Sequence, residues 1–135
     1  MEPQSRHIIA EFSGCSEDIL NSADRIREII VRAVVIAECE VKKVAIQSYK
    51  PQGISGVVVL AESHLSIHTW PENGYAAVDI FACGSSAKPE KACDYIAQCL
   101  NAGEKYVSVI HRGEIKGEKE NSFKHSFETP VTSGL

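Results

Sequence analysis

ESHLSIHTWPENGYAAVDIFACG, residues 62–84, decides the fold. Leu65, Ile67 and Thr69 alternate with Ser66, His68 and Trp70, and Ala76, Val78 and Ile80 alternate with Ala77, Asp79 and Phe81. Side chains two apart share one face of a strand, so the stretch reads as two strands, 65–70 and 75–82. Pro71-Glu72-Asn73-Gly74 joins them, and Asn-Gly favours a tight turn. Pairing Trp70 with Tyr75 places His68 opposite Ala77, Ser66 opposite Asp79, and Cys83 opposite Glu62, because partners in antiparallel strands share a face. Cys83 then sits beside the Glu62-Ser63 bond.

Working outward, Gly56-Val57-Val58-Val59-Leu60 is an apolar run too short for a helix, consistent with a strand buried on both faces. Pro51-Gln52-Gly53 separates it from the alternating strand 41–50. Before that, Ser16 caps a helix with Glu17 and Asp18 in its first turn. Ile19, Ala23, Ile26, Ile30, Ala33 or Val34, and Ala37 mark one apolar face from about 17 to 39. Residues 6–12 form a first strand, closed by Ser13-Gly14. Downstream, Pro89 starts a second helix with Ala92, Ile96 and Leu100 as its buried stripe, Gly103 ends it, and 105–111 alternates as a last strand. Strand, helix, several strands, helix, strand predicts an α+β two-layer sandwich, an antiparallel sheet with two helices on one face. The uncovered sheet face then needs a partner, and dimerisation is one way to bury it.

A chain of 135 residues fits a single domain, expected over 1–111, followed by a polar tail, 112–135, expected to be irregular and partly disordered. With 44% apolar and 24% charged residues the composition is that of a soluble globular protein. No segment has the length of a membrane span, and the first residues carry no secretory-signal pattern, so the cytoplasm is the expected location and no membrane partner is expected. The net charge of -4 without a basic run argues against nucleic acid. Five cysteines, Cys15, Cys39, Cys83, Cys93 and Cys99, lack CxxC spacing and read as reduced thiols.

Taken singly, the reactive residues have ordinary explanations. A strand serine is usually satisfied by nearby backbone, and a lone cysteine is more often a small buried hydrophobe than a nucleophile or acid. His64 and His68 would share a metal on a helix, but a strand removes that geometry and no third ligand has suitable spacing, so no metal is expected. Ser63 and His68 have opposite parity in one strand and lie about 16 Å apart if extended. A bulge, or a histidine from a second subunit, is needed for them to meet.

Together the residues carry more. SGVVVLAESHLSIHTWPENGYAAVDIFACG, residues 55–84, closely resembles the signature of the short, prokaryotic-type S-adenosylmethionine decarboxylase proenzymes, with milder similarity in RHIIAEF at 6–12 and around Tyr49. The resemblance covers 6 to about 111 and leaves the tail aside. Ser66, where threonine is frequent, and Tyr49, where phenylalanine is common, are conservative departures.

The resemblance implies a pyruvoyl-dependent lyase that makes its cofactor from its own backbone. The Ser63 hydroxyl attacks the Glu62 carbonyl, the peptide becomes an ester, and β-elimination yields chains 1–62 and 63–135, the second beginning with a pyruvoyl group. By position, His68 is the processing base, Ser55 its partner, and Cys83 the proton donor in catalysis. Glu72 binds the substrate ribose, Tyr49 stacks on the adenine, and Phe12 supplies the other face. The substrate amine forms a Schiff base with the pyruvoyl ketone, without pyridoxal phosphate or metal. Decarboxylated S-adenosylmethionine is the aminopropyl donor for spermidine and polyamine biosynthesis. The family builds its sites at a homodimer interface, Ser63 and Cys83 from one subunit and Ser55 and His68 from the other. Two alternatives stay open: a decarboxylase of the same mechanism acting on arginine or ornithine, and an unprocessed homologue partnering an active subunit.

Overall fold

The computed structural model describes residues 3–113 and 124–132. Its seven strands are β1 (Ser5–Ser13), β2 (Val41–Ser48), β3 (Ile54–Leu60), β4 (His64–Trp70), β5 (Tyr75–Cys83), β6 (Glu104–Arg112) and β7 (Lys124–Thr132). They form one antiparallel sheet in the order β2-β3-β4-β5-β1-β6-β7. The helices are α1 (Glu17–Leu20), α2 (Ala23–Ile36) and α3 (Pro89–Cys99). The α+β sandwich expected from the sequence is the fold observed.

One face of the sheet carries Ile8, Ala10 and Phe12 of β1, Val58 of β3, Leu65 and Ile67 of β4, and Val78 and Ile80 of β5, all buried. Against them pack Ile26, Ile30, Ala33 and Val34 of α2 and Ala92 and Ile96 of α3. Each such isoleucine or leucine contributes about 1.5–3 kcal/mol by leaving water. Gly56 lets α2 approach: a β-carbon there would lie 3.0 Å from Ile30 Cδ1 and 3.1 Å from Ile46 Cδ1.

The single helix expected from 17 to 39 is two. Ser16 accepts from the Ile19 N–H as foreseen, but Ser22 accepts from the Arg25 N–H at 3.2 Å and starts α2 anew. Ser22 with Asp24 behind it repeats the capping signal that Ser16 and Asp18 give, and the continuous apolar periodicity concealed it. Thr69, buried on the helix side, joins the layers: its Oγ1 accepts from the Ile54 N–H at 2.9 Å and donates to the Leu20 carbonyl at 2.8 Å.

The β4–β5 connection keeps the expected register, with Trp70 opposite Tyr75, His68 opposite Ala77 and Ser66 opposite Asp79. The connection itself is a 3₁₀ turn, Pro71–Asn73, closed by Gly74 at φ 59°, whose N–H donates to the Pro71 carbonyl. Beyond 111 the sequence reading needs correction. β6 runs on to Arg112, and the backbone of Lys124–Thr132 pairs with it as β7 where an irregular tail was expected. Phe127, Thr129 and Val131 hold a period-two signal that the polar composition and Pro130 masked. The remainder of the expected tail, 114–123 and 133–135, lies outside the described residues.

Candidate active site

The loop from β3 to β4 is the tightest on the sheet. Only Ala61 and Glu62 stand between Leu60 and Ser63, and the Leu60 N–H donates to the Ser63 carbonyl at 2.8 Å. The Glu62-Ser63 peptide is therefore held at an exposed hairpin tip with its serine half-buried. Cys83, the last residue of β5, reaches this tip from the neighbouring strand, and its Sγ donates to the Glu62 carbonyl oxygen at 3.3 Å. Burial and the Glu62 carboxylate push the Cys83 thiol above its ordinary range, with Arg112 acting in the opposite direction. The thiol consequently keeps its proton at neutral pH. A cavity of about 150 Å³ opens here, lined by Cys39, Glu62, Ser63, Cys83 and Ser86 among others.

A second cluster lies at the other end of β3 and β4. Ser55 and His68 are direct cross-strand partners, and Ser55 Oγ lies 2.7 Å from His68 Nδ1. A cavity of about 350 Å³ beside them is lined by Tyr49, Gln52, Ser55, His68, Trp70 and Glu72. Tyr49 is 51% exposed and Trp70 42%, so both rings offer a face to a flat ligand. Trp70 packs on Tyr75, ring centres 5.3 Å apart, and also walls this cleft.

Phe12 does not join either cluster. Its ring is fully buried beneath the helices, on the side of β1 opposite the cleft residues, so the expectation that it stacks on a ligand is corrected. Parity decides this: Phe12 shares its face with Ile8 and Ala10, whereas Glu11 points to the open side.

The two clusters do not meet within one chain. Ser55 opposite His68 and Val59 opposite His64 are four ladder positions apart, about 13 Å at strand spacing. Both lie toward the sheet face that no helix of the described residues covers. That face also presents Ile9, Val59, Trp70 and Tyr106, each at least 41% exposed. At its centre Asp79 accepts from Ser66 and contacts His7 and His64, a grouping that the sequence reading did not single out. The signal available for it was a lone aspartate at an alternate position of an otherwise apolar strand. No helix among the described residues is long and apolar enough to cross a membrane.

Residues 6–113 match the family model described as S-adenosylmethionine decarboxylase. The chain is 49% identical over 113 residues to the S-adenosylmethionine decarboxylase proenzyme of Caldicellulosiruptor saccharolyticus, covering 84% of this chain and 91% of that protein. It is 47% identical over 123 residues to the proenzyme of the same name from Thermococcus gammatolerans, covering 91% and 85%. The crystal structure of the adenosylmethionine decarboxylase from Aquifex aeolicus VF5 superposes with a TM-score of 0.80 at 36% identity, covering 87% of this chain and 98% of that one.

Proposed function

The chain belongs to the S-adenosylmethionine decarboxylase family, and on that footing we propose that it releases carbon dioxide from S-adenosylmethionine, using a pyruvoyl group made from its own Ser63. The observation that carries the reading is the contact of the Cys83 thiol with the Glu62 carbonyl at a two-residue hairpin tip. It sets a proton-bearing group against the carbonyl of the bond that the adjacent serine would cut.

The residues fit the group. Turning residue 63 into an α-keto acyl unit adds no heavy atom to a site where its carbonyl is already held by the Leu60 N–H. In processing, Ser63 Oγ attacks the Glu62 carbonyl carbon while the Cys83 thiol, donating to that oxygen, stabilises the developing charge. Collapse of that adduct breaks the Glu62-Ser63 C–N bond and leaves an ester with the amine of residue 63 free. His68, oriented by Ser55, takes the α-proton of residue 63; the Oγ–Cβ bond then breaks and residues 1–62 leave as a carboxylate. Water hydrolyses the resulting enamine, through its imine, to the ketone with release of ammonia. When formed, the pyruvoyl group supplies a carbonyl that accepts the substrate amine and takes up the electron pair left by carbon dioxide. Cys83 holds a proton at Sγ and delivers it to the substrate α-carbon. Glu72 receives the ribose hydroxyls, and the Tyr49 ring receives the adenine, also favouring the sulfonium cation. Pyridoxal phosphate and a metal have no step to perform in this scheme. The product serves as aminopropyl donor for polyamines.

The 13 Å between clusters is closed by a second copy. In a two-fold dimer packed through the open sheet face, patch i of one protomer meets patch j of the other and the reverse, so one interface completes two sites. Ser63 and Cys83 come from one subunit, and Ser55 and His68 from its partner. The exposed apolar side chains of that face are then buried. A reaction on a free metabolite, without membrane or nucleic acid, suits the cytoplasm.

Intact mass under denaturing conditions tests the processing, with two fragments meeting at Glu62-Ser63 as the expected result. Carbon dioxide released from carboxyl-labelled S-adenosylmethionine, and not from arginine or ornithine, tests the substrate. A single uncleaved chain overturns the proposal.

A further inference from the structure

Asp79 anchors a network on the open sheet face that neither processing nor substrate binding employs. His7 Nε2 lies 2.7 Å and His64 Nε2 3.0 Å from the same carboxylate oxygen, Oδ2, while the Ser66 hydroxyl donates to Oδ1. Behind His7, Arg112 Nη1 donates to Nδ1 at 3.1 Å, and the guanidinium sits 4.6 Å from the centre of the Phe81 ring.

Chemistry places the protons. A guanidinium can only donate, so His7 Nδ1 offers a lone pair and its proton is on Nε2, aimed at Asp79. His64 Nε2 likewise faces an acceptor and donates to it. His7, His64 and Asp79 are close enough together to suggest a metal ion. An ion there would displace the Nε2 proton to Nδ1, against the Arg112 donor, and would itself be a cation beside a cation. The grouping is a hydrogen-bonded network centred on a carboxylate.

His64 is the residue after Ser63. Before cleavage residue 63 is tethered on both sides; afterwards it is a chain terminus, tied only through residue 64, and free termini fray unless anchored. Two restraints remain beside the strand ladder: the Leu60 N–H on the residue 63 carbonyl, and the His64 side chain on Asp79. We infer that Asp79 is a positioning residue for the group formed at residue 63, acting through His64 to hold that terminus in line with Cys83; this rests on the function proposed above. The network also spans the cut. His7 belongs to the first fragment, whereas His64, Asp79 and Arg112 belong to the second, so it adds to the β1–β5, β1–β6 and β3–β4 ladders that join the fragments once the peptide link is gone.

The test uses the full chain with Asp79→Ala, His64→Leu and His64→Gln. Cleavage is expected to go to completion in all three. In Asp79→Ala and His64→Leu, kcat for carbon dioxide release falls about ten- to a hundredfold, the range a misplacement near 1 Å produces, with KM little changed. His64→Gln, whose amide still donates to the carboxylate, recovers most of the rate, and the Asp79→Ala/His64→Leu double variant falls no further than either single. Phenylhydrazine reacts faster with the ketone of Asp79→Ala than with that of wild type. Nitrogen-15 NMR of the wild-type imidazoles shows His7 and His64 protonated at Nε2, a readout independent of whether any variant folds. Unchanged kcat in cleaved Asp79→Ala, multiplicative loss in the double variant, or His64 carrying its proton only on Nδ1 overturns the inference alone. An intact or inactive wild-type chain overturns the function, and the inference with it.

Discussion

The Cys83 thiol, at the end of β5, donates a hydrogen bond at 3.3 Å to the carbonyl oxygen of Glu62 in the β3–β4 loop. In the proposed mechanism this carbonyl is the one Ser63 attacks, and Cys83 would then act twice: as a donor to the oxyanion during processing and as the acid in turnover. Cys83→Ala is therefore expected to slow self-cleavage and, once cleaved, to lower kcat by about 10²–10⁴-fold, the usual contribution of a positioned acid. Time-resolved intact mass separates the first effect from the second, measured as carbon dioxide release. Normal turnover in a cleaved Cys83→Ala protein would remove the acid role.

Arg112 opposes the upward push that burial and Glu62 exert on the Cys83 thiol. With Cys83 acting as an acid, activity is lost as pH rises through the thiol pKa, above the range of an ordinary cysteine. Removing the cation in Arg112→Gln raises that pKa further, so the alkaline limb of the kcat profile shifts to higher pH. A shift to lower pH would contradict this electrostatic assignment.

Separation of the Ser55–His68 pair from Ser63 can be read by mixing subunits. His68→Ala alone and Ser63→Ala alone are both expected to remain uncleaved. Co-expressed, the mixed dimer holds one complete site, formed by Ser63 of the His68→Ala chain and His68 of the Ser63→Ala chain. Only His68→Ala chains should then be cut, as mass spectrometry of the tagged chains would show. No cleavage in the mixture would place both groups within one protomer.

Thr69 connects the β3 backbone to α1 through the Ile54 N–H and the Leu20 carbonyl. Thr69→Val keeps the shape and strands two backbone groups, so a loss of about 1–3 kcal/mol in unfolding free energy is expected from denaturant titration. An unchanged midpoint would mean that water reaches these groups.

Burial opposes ionisation of Asp79, but hydrogen bonds from Ser66, His7 and His64 outweigh it and hold the carboxyl below the usual range. A depressed folded-state pKa gives stability that is complete above the unfolded value, about 3.9, and is lost as pH falls through the folded one. Thermal melts of wild type should drop over that acid window, and those of Asp79→Asn should drop less steeply. Parallel curves would show that Asp79 is not the linked group.

Much of this was legible because short-range rules sufficed. The hairpin register follows from alternation on both sides of Pro71-Glu72-Asn73-Gly74, and it sets Cys83 beside Glu62, where the two are in contact. Where two local signals competed, the weaker was hidden: Ser22 restarts a helix inside one unbroken apolar stripe, and Pro130 obscured β7. Phe12 was misplaced because resemblance gives a residue's position and not the face of the sheet it occupies.

By itself the sequence determined most of the elements, the sheet's buried face, the family and the candidates for processing and catalysis, since all of these rest on periodicity, turn chemistry and a specific motif within one stretch. Tertiary structure alone decided what those residues touch. Asp79, His7 and Arg112 are 72 to 105 positions from their partners in this network or lie on separate strands, and only the placement of β1 between β5 and β6 brings them together. The same strand order keeps Ser55 and His68 away from Ser63, because a pleated strand cannot fold back on itself within five residues.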